Sequence, residues 1–146
     1  MYLPPVTKAL LIALAVAYLA QMLAPEAAIL YFALWPLGDY PIGTGSDGLP
    51  LSVGFLPWQI LSYGLLHGSF GHLFFNALAI YMFGGSLEQT WGSRRFLSFF
   101  LVCVAGAGLI QLVVVTSGIT GQGVYPTVGA SGGIFGLLMA YGMLFP

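Results

Sequence analysis

The chain has 146 residues, 59% of them hydrophobic and only 5% charged. Soluble domains carry roughly a quarter charged residues, so this composition excludes a water-soluble fold and describes one membrane-embedded domain at most. A net charge of -1 with Lys8, Arg94 and Arg95 as the basic residues excludes a nucleic-acid-binding field, and two histidines with the single Cys103 supply neither a disulfide nor the four ligands of a structural zinc site. No cofactor or metal is expected.

The first apolar segment runs from Val6 to Ala24, interrupted only by Gln21. A signal peptide would place Lys8 at its charged end and Leu10 to Ala20 in its apolar middle. The segment is long enough to span a bilayer, and Pro25 follows without a small-residue cleavage site, so a retained helix is expected. Residues 25–58 form a long connection. Its apolar start, Ala27 to Trp35, is too short to cross and is expected in the membrane interface, with Tyr31 and Trp35 at headgroup depth. Gly38 to Pro57 is rich in Gly, Pro, Ser and Asp and reads as irregular loop.

Three further spans are expected, from about Ile60 to Phe83, Phe96 to Thr116 and Val128 to Phe145, the last shorter and rich in glycine. The fold class is therefore an all-α membrane protein with four transmembrane helices. Lys8 and the Arg94–Arg95 pair are separated by an even number of crossings and lie on one side. The positive-inside rule makes that side cytoplasmic, with the N-terminus there and residues 25–58 facing outward. No internal repeat is evident.

Polar groups within a bilayer are costly and call for explanation. His72 and Asn76 are four apart, on one helix face. His67 is about 140° around an ideal helix from His72 and need not share that spot. Interhelical hydrogen bonding accounts for such residues as well as catalysis does. The last span opens Gly129-Ala130-Ser131-Gly132-Gly133-Ile134-Phe135-Gly136. Gly129, Gly132 and Gly136 clear one side for a neighbouring helix, and Ser131 taken alone could be one more small packing residue. The soluble hydrolase elbow matches Gly129 to Gly133 literally but lacks its strand–turn–helix context.

In combination these motifs resemble the rhomboid family of intramembrane serine proteases. Gly129-Ala130-Ser131-Gly132 is similar to that family's nucleophile motif. His67 to Asn76 resembles its histidine-rich second helix, and Glu88-Gln89-Thr90-Trp91-Gly92-Ser93-Arg94-Arg95-Phe96 its connection into the third. Trp58-Gln59 stands where the family often has Trp-Arg. The resemblance covers nearly the whole chain in order. It implies a rhomboid-like bundle, truncated here relative to the six-helix family core, that cleaves transmembrane protein substrates in the cell membrane. It implies Ser131 as nucleophile and His72 and Asn76 as oxyanion donors, with His67, Gly129, Gly132 and Phe135 in support. Phe135 falls where the family places an aromatic ring under its catalytic histidine.

Serine needs a general base, and in rhomboids that base is a histidine on the sixth helix. The expected arrangement is a fragment, or half of a complex, whose missing C-terminal helices carry the base, and which is inactive alone. Two other classes compete: a rhomboid-like pseudoprotease that binds membrane clients without cleavage, and a channel or transporter subunit using His67, His72 and Asn76 as a polar path. Pseudoproteases of this kind generally lack the nucleophile, and transporters usually show repeats and broken helices.

Overall fold

The computed structural model describes residues 3–145. Helix α1, Pro5–Leu23, starts with proline at its first position, where the missing N–H costs nothing. Its surface is almost wholly apolar and outward-facing, with only Thr7 and Leu14 buried. Pro25 stops it and opens the short helix α2, Pro25–Phe32. The chain then turns inward, and Ala33 and Leu34 are fully buried. Tyr31 is exposed as an interfacial residue would be, but Trp35 is buried, its indole Nε1 donating to the Ile29 carbonyl at 3.0 Å. The apolar run is thus a helix followed by a buried strap, with the Trp35 indole folded back onto α2.

The stretch expected to be irregular contains a β-hairpin. Strands β1, Tyr40–Thr44, and β2, Pro50–Val53, pair antiparallel with Tyr40 opposite Val53 and Thr44 opposite Pro50. The turn uses Gly48 at φ +79°, and the Asp47 carboxylate accepts from the Leu49 N–H. Asp-Gly between two short runs is the hairpin signal, obscured here by the prolines.

A buried glutamine ties this segment down. Gln59 is fully buried at the start of α3, Gln59–Ser62. Its Oε1 accepts from the Trp35 and Leu56 N–H groups at 3.3 and 3.0 Å, and its Nε2 donates to the Tyr31 carbonyl at 3.4 Å. Trp58 Nε1 donates to the same carbonyl at 2.7 Å. The neutral amide thereby tethers the loop from a position where the family often has arginine.

The span expected from Ile60 to Phe83 is displaced and broken. After α3 comes a single 3₁₀ turn, Tyr63–Leu65, and then extended backbone at Leu66. Helix α4, Phe70–Ala79, begins only after Ser69, whose hydroxyl accepts from the His72 N–H as a helix cap. A π-turn at Ile80–Gly84 joins α4 to α5, Gly85–Trp91, giving one apolar run of 22 residues from Phe70 to Trp91. Hydrophobicity alone did not register the Gly68-Ser69 cap that sets the start.

Helix α6, Ser93–Ser117, buries Phe96, Phe100, Val104, Gly108, Leu112 and Val115, a stripe at helical spacing. Helix α7, Ser131–Leu144, packs on it through Gly132, Gly133 and Gly136. A Cβ on Gly132 would fall on the Ala107 methyl, one on Gly133 would lie 2.6 Å from Phe100, and one on Gly136 would meet the Cys103 sulfur. Lipid is as apolar as the side chains, so close backbone approach is what holds these helices together. Among the described residues three helices are long and apolar enough to span. The fourth, α7, has 14 residues, or about 21 Å of rise against a hydrocarbon core of about 30 Å.

Candidate active site

The break before α4 decides the geometry. His67 lies in the extended segment and so escapes the helical angle that would turn it from Asn76. Its fully buried ring meets the Asn76 side chain, with Asn76 Nδ2 2.9 Å from His67 Nε2. An amide NH₂ can only donate, so Nε2 is the acceptor. The ring proton then resides on Nδ1, which faces the Leu65 carbonyl at 3.3 Å. His72 packs edge-on against His67, with ring centroids 4.9 Å apart.

The serine turn closes onto these rings. Gly129 has φ +121° and its N–H donates to the Tyr63 carbonyl at 2.9 Å. A Cβ there would come within 2.6 Å of His72 Cε1, so Gly129 serves both the backbone angle and the imidazole. Two residues later Ser131, half-buried, is the first residue of α7. Helix N-termini present unpaired N–H groups and partial positive charge. The turn is held from the strap after α2 by an antiparallel bridge, Leu34 N–H to Thr127 carbonyl at 3.0 Å and Thr127 N–H to Leu34 carbonyl at 2.9 Å. Gln111 Nε2 adds a bond to the Thr127 hydroxyl at 3.1 Å.

Contacts therefore run from Asn76 to His67 to His72 and on to Gly129 in the turn that opens α7, and Gly132 faces α6 beside it. Phe135 is not part of that cluster, and its ring is 71% exposed. Tyr63 is a contributor the sequence did not single out. It is buried, donates its hydroxyl to the Val104 carbonyl at 2.7 Å and holds Gly129 through its own carbonyl. Nothing in the spacing pointed to it, since it lies in the turn before the break. Among the described residues no three His, Cys, Asp or Glu side chains group to hold a metal ion.

A Gly129→Ala substitution forces alanine into a left-handed backbone region that costs roughly 1–2 kcal/mol and drives its methyl into His72. A lowered denaturation midpoint in detergent is the expected result. An unchanged midpoint contradicts this reading of the turn.

Residues 55–146 match the family model for the Rhomboid domain, well over half of the chain. The chain is 37% identical over 83 residues to rhomboid protease GluP of Bacillus subtilis, covering 57% of this chain and 15% of that protein. It is 34% identical over 94 residues to rhomboid protease GlpG of Haemophilus influenzae, covering 64% and 43%. It is also 35% identical over 83 residues to RHOMBOID-like protein 5 of Arabidopsis thaliana, covering 57% and 25%. The chain spans less than half the length of each of these relatives. With the matched segment holding every residue of the cluster just described, this multi-pass membrane chain belongs to the rhomboid family.

Proposed function

We propose that the chain carries the nucleophile and oxyanion-binding part of an intramembrane serine endopeptidase acting on transmembrane protein substrates. The observation that carries this reading is the run of contacts from Asn76 to His67 to His72, whose ring meets Gly129 in the turn that opens α7 at Ser131. Relatives named as rhomboid proteases support it.

Ser131 Oγ attacks the scissile carbonyl, forming a C–O bond while the carbonyl electrons move onto oxygen. The Ser131 backbone N–H, the His72 ring and the Asn76 amide receive that oxyanion. Asn76 is suited to the task because one Nδ2 proton holds His67 and the other remains for substrate. The Ser131 proton passes to a histidine base supplied from outside these residues, since His67 is bound to Asn76 and His72 faces the oxyanion. Phe135, one turn after Ser131 and open on the surface, provides a ring for that base to rest on. The basic residues Lys8, Arg94 and Arg95 support a cytoplasmic N-terminus in the cell membrane.

A fluorophosphonate probe tests the assignment on the full-length protein in its membrane. Labelling of wild type that is lost in Ser131→Ala is expected. A folded wild-type protein that resists the probe overturns the enzyme in favour of a client-binding pseudoprotease. Residues 1–146 alone, without the base, should react about four to six orders of magnitude more slowly.

A further inference from the structure

We infer that Gln21 on α1 is a positioning residue for the oxyanion site, acting through His67 on Asn76; this rests on the function proposed above. The extended backbone between Leu66 and Ser69 deprives His67 of helical partners for its N–H and C=O, and polar backbone left unpaired in a membrane is costly. One side chain satisfies both groups. Gln21 Nε2 donates to the His67 carbonyl at 2.8 Å, and Gln21 Oε1 accepts from the His67 N–H at 3.1 Å. These residues are 46 apart in sequence, and the paired bonds fix the peptide of residue 67 against the last turn of α1. A primary amide offers a donor and an acceptor side by side without carrying charge.

The consequence runs along a single chain of contacts. The Gln21 clamp fixes the backbone at His67, and the His67 ring then accepts from Asn76 Nδ2 and abuts His72. The free proton of Asn76 is thereby aimed, because its other proton is already committed. Gln21 touches neither substrate nor Ser131. It sets the direction in which a donor points.

The test uses the full-length protein in proteoliposomes and the second-order rate at which a fluorophosphonate phosphonylates Ser131, a reaction that also places negative charge on an oxygen in the site. Gln21→Met, which keeps the length and removes both bonds, should slow labelling about 10- to 100-fold, the scale of a displaced reacting group. In an Asn76→Ala background the same change should add less than about twofold, because coupled residues are not additive. A change acting only through global packing would multiply instead, and multiplicative effects overturn the inference. The second readout needs no activity. In ¹⁵N-histidine-labelled protein His67 should hold its proton on Nδ1, and Gln21→Met should move its two ring nitrogens toward averaged values. Unaltered His67 resonances overturn the inference even if labelling falls. Absence of labelling in wild type removes the enzyme reading alone, and the resonances then decide whether Gln21 orders His67.

Discussion

On the proposed function, Ser131→Ala is expected to abolish cleavage of a transmembrane substrate by the full-length protein, because it removes the hydroxyl at the start of α7. The oxyanion donors should behave differently. Removing one preorganised donor costs about 10²–10³ in rate, so Asn76→Ala leaves a slow but measurable enzyme, and His72→Ala falls in the same range or below. His67→Ala acts by releasing Asn76, and its loss should not exceed that of Asn76→Ala. Rates in proteoliposomes, corrected for the amount of folded protein, give the order. Full activity in folded Ser131→Ala ends the serine-protease reading. Silent His72→Ala and Asn76→Ala beside a dead Ser131→Ala would preserve the enzyme and dismiss the oxyanion pocket.

The largest effect on stability is expected at Glu88. Helix α1 has no side-chain cap of its own, and its first N–H groups have no intrahelical partner. The Glu88 carboxylate, buried at 2% exposure, accepts from the Val6 N–H at 2.9 Å and from the Thr7 N–H and hydroxyl at 2.7 and 2.8 Å. It also accepts from the Ser93 hydroxyl at 2.6 Å. One side chain on α5 therefore caps α1 and fastens the first residue of α6. Removing the acceptor leaves buried donors unsatisfied at about 1–3 kcal/mol each, and Glu88→Ala should lower the denaturation midpoint in mild detergent accordingly. Glu88→Gln retains one acceptor oxygen and should fall between. Equal midpoints for Glu88→Ala and wild type would show that the network contributes nothing to the fold.

How much of this was legible in the sequence depended on whether a residue's environment was local. The length and apolarity of α1 and α6 needed no tertiary information. The glycines of α7 announced a close neighbour, and Gly132 and Gly136 do meet α6. The spacing of His72 and Asn76 held because both lie inside α4. His67 escaped the same arithmetic, since a helix wheel has no meaning across the extended residues before Phe70. Gln59 was visible only as a departure from a family pattern, while its amide joins its own turn at Leu56 to the distant Tyr31 and Trp35. Glu88 read only as part of the connection into the third helix, because its partners at Val6 and Thr7 are brought to it by folding alone.

The π-turn at Ile80–Gly84 sits between His72 and Asn76 on α4 and the residue that caps α1. A π-turn is equivalent to one residue added to an α-helix, which at 3.6 residues per turn amounts to about 100° of phase. Asn76 and Glu88 are thus set at their mutual azimuth by a dislocation in the helix, and not by the number of residues between them. Ile80 is fully buried, and Gly84 admits Phe96 and Thr7 at 3.2 and 3.5 Å from where a Cβ would stand, so neighbouring helices pin the dislocation in place. Deleting one residue there would heal the helix and let only one of its two ends keep its bearing. Either the cap of α1 or the pair His72 and Asn76 would swing away from its partners.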